Sequence, residues 1–443
     1  MKKVVITAVA LGAVLCVAVF FFAVYRLTGF VTGRRAFQQG YAAMERGEYK
    51  KAIPFFTDSA QKPSAPAWRA AALVDRGYCY FRLDQRDKGD KAIPDFTAAL
   101  QLKPDAFAFE ERAFAYEQAG RSDLAFADYE KALQLDPNLA AVWYHKGVYY
   151  ENAGNYQMAR TAFREAIRSF PDYADAYVES GYSSGRLHDR DGAISSFDAA
   201  IQINPESANA FSARGVFRLE EQQYDSAIAD LTKAIALAPK TKRHSYARAI
   251  AYEDTKRYSN AIEDFTRVLE LDPRDELAWQ RRGMTYRRLK DYPRALADFT
   301  ELIKLTQSAD AYNDRARTYA MTGQYPLALA DYEEVRQTAR GAVKSQSKSM
   351  AWFLATCPDP AFRDGAKAVK QATKACEDSR WKNSGKLDTL AAAKAEVGKF
   401  DEAISYEQKA IALLSKDSEM GKQFDSRLAL YQAHKPFRDE IGR

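Results

Sequence analysis

Residues 140–173 read AAVWYHKGVYYENAGNYQMARTAFREAIRSFPDY, and the spacing inside this stretch decides the fold. Trp143, Gly147 and Tyr150 stand at i, i+4 and i+7, which is one face of a helix. Ala159, Phe163 and Ala166 repeat that spacing on a second helix. Gly154 and Asn155 between them are turn formers, so the stretch predicts a helical hairpin. Gly147 and Ala159 are small where two helices must come close, and Trp143 and Phe163 fill the space beside them. Pro171 stops the second helix, because proline cannot donate to the ladder and restricts the residue before it.

The same columns return at a constant interval on either side. One small column reads Gly147, Gly181, Gly215, Ala249, Gly283; another reads Ala125, Ala159, Ala193, Ala227, Ala261, Ala295. Four positions after the second column stand Tyr129, Phe163, Phe197, Leu231, Phe265 and Phe299, and Pro137, Pro171, Pro205, Pro239 and Pro273 close five of the units. Outward from these, Gly40, Gly47, Tyr49, Ala52 and Phe56 mark a first unit, and Gly77, Tyr80, Ala92, Phe96 and Pro104 a second. Pro54 and Pro94 are expected early in second helices, where a missing amide costs least. A ninth unit begins near Ala309. Past Gly341 a polar junction precedes a degenerate unit, whose first helix must end near Cys357 and Pro358. A further repeat follows through Gly398, Phe400, Ala403 and Ala410. At 443 residues the chain exceeds a single core, which agrees with an array.

With these columns in place the chain resembles the tetratricopeptide-repeat family. Trp143-x2-Lys146-Gly147-x2-Tyr150 … Ala159-x3-Phe163 … Pro171 follows that family's pattern, with Lys146 in place of its leucine. Trp279-x2-Arg282-Gly283-x2-Tyr286 … Ala295-x3-Phe299 follows it again without the closing proline. The resemblance covers roughly residues 33–417. It implies an all-α chain of tandem helical hairpins forming a right-handed superhelical α-solenoid, with the first helices lining a concave face. It also implies a role in protein–protein interaction. The expected organisation is a tail and anchor in 1–32, nine repeat units in 33–341, a junction with two divergent units in 342–417, and a capping helix and tail in 418–443.

Residues 4–25 carry no charge and are flanked by Lys2, Lys3 and Arg26. That length suits a bilayer-spanning signal-anchor helix better than a cleaved signal peptide. No small-x-small site follows, and Leu15 before Cys16 speaks against lipidation. The expectation is a single pass through a bacterial inner membrane. Lys2 and Lys3 face Arg26, Arg34 and Arg35 across it. The ordinary signal-anchor arrangement favours a periplasmic repeat domain, with the cytoplasmic side left open.

Of 65 basic side chains, Lys2, Lys3 and Arg26 fall within 1–32, a segment without acids. The rest of the chain therefore sets 62 bases against 59 acids. That is too near neutrality for a dedicated nucleic-acid binder, so no nucleic acid is expected. No phosphate loop, dinucleotide fingerprint, HExxH or GxSxG occurs. His145, His188, His244 and His434 lie in separate units without ligand spacing. Catalytic residues, metal, cofactor and small-molecule substrate are therefore all expected to be absent. Cys357 and Cys376 fall on successive helices of one hairpin. A disulfide is open to them in an oxidising space, and two small buried thiols are the alternative.

The working surface is expected on the first helices. One residue round from Trp143, Gly147 and Tyr150 come Tyr144, Val148 and Glu151, which predicts two columns. The first reads Phe37, Val74, Glu110, Tyr144, Val178, Ser212, Tyr246, Gln280; the second reads Tyr41, Tyr78, Phe114, Val148, Tyr182, Val216, Ile250, Met284. These side chains either complete packing between neighbouring first helices or form an apolar track for a bound peptide or partner protein. Glu110, Glu111, Glu117, Glu151, Asp175 and Glu179 would make an acidic stretch. Arg281, Arg282, Arg287 and Arg288, followed by Arg315 and Arg317, would make a basic one. Tyr144, Tyr182, Tyr246, Glu110, Glu151, Arg281 and Arg288 are the candidate partner-binding residues. The family's lysine-and-asparagine clamp for a chain terminus is unmatched, since Gln280, Met284, Asn313 and Asp314 stand in comparable places. The resulting reading is a membrane-anchored, non-catalytic scaffold. The alternative is an accessory subunit of an envelope-assembly, secretion or glycan- or lipid-handling complex, with the tyrosines as sugar-stacking platforms.

Overall fold

A computed structural model describes residues 33–61, 66–83, 89–338, 347–415 and 418–439. Among the described residues the regular structure is wholly helical. The chain divides into two compact units, residues 1–213 and 214–443.

The first unit stacks five hairpins. They are α1 (Arg34–Glu45) with α2 (Tyr49–Gln61), α3 (Pro66–Leu83) with α4 (Ala92–Leu102), and α5 (Ala106–Gln118) with α6 (Ser122–Leu135). Next come α7 (Ala140–Asn152) with α8 (Tyr156–Ser169), and α9 (Ala174–Arg186) with α10 (Arg190–Ile203). The division falls inside α11 (Ala208–Glu220). The second unit continues with α12 (Tyr224–Leu237), α13 (Lys242–Asp254) and α14 (Tyr258–Leu271). It goes on through α15 (Glu276–Arg288), α16 (Tyr292–Thr306), α17 (Ala309–Met321) and α18 (Tyr325–Thr338). A C-terminal module follows: α19 (Ser347–Thr356), a 3-10 turn (Pro360–Phe362), α20 (Gly365–Asp378), α21 (Ser384–Glu396), α22 (Phe400–Ala412) and α23 (Glu419–Gln432). Odd-numbered helices up to α21 are the first of their hairpins. No helix among the described residues is long and apolar enough to cross a membrane. The expected anchor at residues 4–25 lies outside the described residues.

The small column works by seating an aromatic ring. A Cβ built on Gly147 would stand 2.4 Å from the ring of Phe163, and one on Gly181 would stand 2.5 Å from Phe197. At Gly283 the gap to Phe299 is 2.8 Å. Each ring is fully buried, so the first helix gives up its side chain to let the second helix insert one. Turns between paired helices share one left-handed position. Gly120, Gly154 and Gly323 occupy it, but His188, Gln222, Lys256 and Lys290 do so as well, at φ near 60°. Side-chain caps help the second helices to start: Asn155 accepts from Met158 N, Asp189 from Gly192 N and Asp291 from Arg294 N.

Pro94 is the third residue of α4, as expected, but Pro54 is the sixth residue of α2. At that depth the missing amide removes an intrahelical bond, so the expected low cost does not apply there.

A second recurring contact was not anticipated. The arginine just before the small column forks onto an aspartate of its own second helix. Arg112 reaches Asp128 at 2.6 and 2.9 Å, Arg248 reaches Asp264 at 2.8 and 2.7 Å, and Arg282 reaches both oxygens of Asp298 at 2.9 Å. Arg76–Asp95, Arg214–Asp230 and Arg315–Asp331 are built alike. The third guanidinium nitrogen donates to a threonine of the preceding second helix, as Arg248 does to Thr232 at 2.9 Å and Arg282 to Thr266 at 3.0 Å. Where that threonine is present, the fork ties three helices together. Lys146, where the family has leucine, reaches Glu130 of the preceding second helix at 3.2 Å and stands against the rings of Phe126, Trp143 and Tyr150.

Candidate functional site

In the first unit the exposed side of the first helices carries aromatic rings and carboxylates together. α3 supplies Asp75 and Tyr78, α5 supplies Glu110, Glu111 and Phe114, α7 supplies Tyr144 and Glu151, and α9 supplies Glu179 and Tyr182. Within α3, α7 and α9 these residues lie three or seven apart and share one face, while on α5 the adjacent Glu110 and Glu111 flank it, four and three residues before Phe114. Phe114 packs 5.3 Å from Phe81 and 5.2 Å from His145 between ring centroids. Tyr144 sits 5.2 Å from Tyr173 and 5.8 Å from Phe163. Tyr182 meets Phe197 edge-on at 5.6 Å and is still 37% exposed. The apolar track is thus half-buried along α3, α5 and α7 and most open at Tyr182. Val74 and Val178, from the other column, are buried.

Three carboxylates on this face are poorly compensated. No hydrogen bond or ion pair to a described residue reaches Asp75, Glu110 or Glu111. Burial pushes the carboxyls of Asp75 and Glu110 up to about 7. Burial, followed by the charges of Glu110 and Asp75, pushes Glu111 up to about 8. Arg82, which stands against the rings of Tyr49 and Tyr78, offsets Glu111 only in part. Glu151 is also raised by burial and accepts a long bond from Ser183 at 3.4 Å. Glu117 differs. It takes a bond from Tyr129 at 2.7 Å and faces His145 at 3.2 Å, so it is committed internally. Asp175 is exposed.

In the second unit the arginines of the expected basic stretch have carboxylate partners. Arg281 and Arg288 both turn to Glu253, at 3.1 and 3.6 Å, and Thr285 donates to the same carboxylate at 2.7 Å. Glu253 is buried, while Arg281 and Arg288 pair with it and keep 42% and 47% of their side chains exposed. Arg282 and Arg315 are locked in their forks, and Arg287 donates to the side chain and carbonyl of Asp314. Arg317 is exposed. Tyr246 packs edge-on against Phe265 at 5.7 Å, with Arg281 beside its hydroxyl. Tyr144, Tyr182 and Tyr246 each pack against a neighbouring ring, and of the three Tyr182 is exposed.

Cys357 and Cys376 are free and buried, with no bridge between them. Both thiols lie in the apolar core of the C-terminal module, and burial pushes Cys376 up to about 11. They pack as small apolar side chains. His244 is buried as well, and burial holds it down at about 4. No group of metal-ligating side chains is assembled among the described residues.

Sequence reading missed the burial of Asp75 and Glu111, because nothing in a spacing pattern reports desolvation. It also missed the arginine forks, although an arginine followed at a fixed interval by an aspartate recurs visibly at 112 and 128, 214 and 230, 248 and 264, and 282 and 298.

Family models of the tetratricopeptide repeat match residues 106–139, 140–173, 213–276 and 281–342. No curated protein sequence matches the chain. Among solved structures the chain is similar to YrrB, described as a repeat protein with an unusual peptide-binding site. That match has 23% identity over 41% of this chain and 95% of that one, with a TM-score of 0.35. It is similar to yeast Tom70 at 16% identity over 90% and 96% of the two chains, with a TM-score of 0.44. A repeat protein from Parabacteroides merdae matches at 17% identity over 66% and 98%, with a TM-score of 0.43. Recurrent hairpins, the glycine column with its seated ring and the matched repeat models lead to one conclusion: the chain is a tetratricopeptide-repeat protein.

Proposed function

We propose that the protein is a non-catalytic scaffold that captures a partner's lysine- or arginine-bearing segment on the first-helix face of its first unit. The observation that carries this reading is the meeting of aromatic rings with the under-compensated carboxylates Asp75, Glu110 and Glu111. Aromatic side chains supply contact area at low entropic cost. A cation brought beside the carboxylates supplies the charge that their surroundings lack. The apolar run at residues 4–25 supports a membrane-anchored form of this scaffold, with the repeat units on the periplasmic side.

The test is photo-crosslinking in cells, with a photoreactive residue replacing Tyr182 in the full chain. A discrete protein adduct at Tyr182, absent when the probe replaces the exposed Lys233, is the expected result. Its identity also reports the compartment. Adducts at Lys233 with none at Tyr182 would remove the proposed face.

A further inference from the structure

We propose that the first helices of the C-terminal module form a second peptide site. In this structure it is filled by the chain's own residues 435–439, and it accepts segments in which an aromatic residue is followed by arginine and then by a carboxylate.

The segment leaves α23 through a turn at His434, whose ring stacks on Phe400 at 5.1 Å. Lys435 to Asp439 then run without regular structure. Three successive side chains are each received by a prepared group. Phe437 lies 5.7 Å from Trp352 of α19 between ring centroids and packs against the cluster that holds Ala391 and Ala395 of α21. Arg438 pairs with Glu396 at the end of α21, at 2.7 Å. Asp439 accepts from the indole N–H of Trp352 at 2.6 Å, and its own backbone N–H donates to the carbonyl of Thr356 at 2.9 Å. An aromatic anchor, a charge pair and a single main-chain bond are the means by which folded domains hold extended ligands.

The floor of the site is organised largely by α19, α21, α22 and α23, with Phe437 of the segment adding one ring to it. Arg427 of α23 stands among the rings of Trp352, Phe424 and Phe437, at 5.3, 4.9 and 5.4 Å. Its guanidinium is held by Asp388 of α21 at 2.7 Å, with Glu407 of α22 3.8 Å away. Burial, followed by the charge of Asp388, pushes the carboxyl of Glu407 well up. Such a preformed receptor does not need rebuilding to admit a different segment. The present occupant is also imperfect, because no donor among the described residues reaches the buried Asp439 Oδ1. A competing segment has that contact to gain. The tether gives the chain's own segment a high effective concentration, so the site stays closed until a stronger or more abundant ligand arrives.

The experiment uses a labelled peptide of residues 433–439 and the full chain, in wild-type form and with Phe437→Ala plus Arg438→Ala. Fluorescence anisotropy should show the peptide binding the double variant at least about ten-fold more tightly than the wild type, whose site is already filled. A peptide with alanine at the phenylalanine position should not bind. Because Phe437 is partly buried, Arg438→Ala alone serves as a milder second variant, expected to bind the peptide with intermediate affinity. Absence of binding by variants that keep a native helical circular-dichroism signal would overturn the proposal. So would loss of that signal in both variants, which would make the segment an integral part of the core. Neither failure touches the first-unit face, which shares no residue with this site.

Discussion

Asp264 shows how much one carboxylate does here. It is almost fully buried and takes both arms of Arg248, whose remaining nitrogen holds Thr232 on the preceding second helix. Asp264→Ala should cost about 3 kcal/mol, since it strands a half-buried guanidinium instead of removing a balanced pair. Urea denaturation followed by circular dichroism measures this, and a loss below about 0.5 kcal/mol would mean the fork is ornamental. A second substitution should work in the opposite direction. Lys256 holds a left-handed turn position that Gly154 fills without strain elsewhere in the array, so Lys256→Gly should stabilise by about 1 kcal/mol.

Glu111 makes a pH prediction at the same scale. Its folded-state value of about 8 lies above the ordinary carboxylate value, so the folded state binds its proton more tightly than the unfolded chain. The associated stability is present in full at low pH and is lost as pH rises from about 4.5 through about 8. Asp75 and Glu110 act in the same sense up to about 7. Glu111→Gln should therefore flatten the decline in thermal stability between about pH 5 and pH 8. An unchanged slope would place Glu111 in a more solvated setting than the one described.

At the level of elements, the hairpins were legible because small and bulky residues recur with helical spacing and because Pro and Gly punctuate them. What spacing cannot say is how closely two helices approach. At Gly147 the facing ring leaves 2.4 Å for a Cβ, whereas at Gly283 it leaves 2.8 Å. Gly147→Ala should destabilise by roughly 1–3 kcal/mol, while Gly283→Ala should be close to neutral because helix propensity offsets a smaller ring shift. Equal effects on thermal midpoints would contradict this ranking. Ala249, in the same core cluster as the buried Phe265, shows that the column tolerates a methyl group at that unit. Charge was the least legible property. Arg281 and Arg288 read as a basic patch, and Glu253 on the preceding first helix pairs with both while they stay more than 40% exposed. Tyr144, placed on the groove side by a one-residue rotation, is mostly occupied with Tyr173 and Phe163. The partners of these side chains stand on other helices or turns, which spacing within one helix does not report.

For the molecule as a whole, the central claim is that its first unit recognises a cationic segment through rings and desolvated carboxylates. Those carboxyls must ionise to pair with a cation, so binding is linked to proton release and should tighten with pH up to about 8. The most direct measurement is anisotropy of a labelled peptide of alternating lysine and leucine, titrated with the full chain from about pH 6 to pH 8. The wild type should bind more tightly as pH rises, and Glu110→Gln with Glu111→Gln should bind about ten-fold more weakly at the upper end. A matching glutamate–leucine peptide should not bind. Affinity that is independent of pH and equal in the wild type and the double variant would contradict the account.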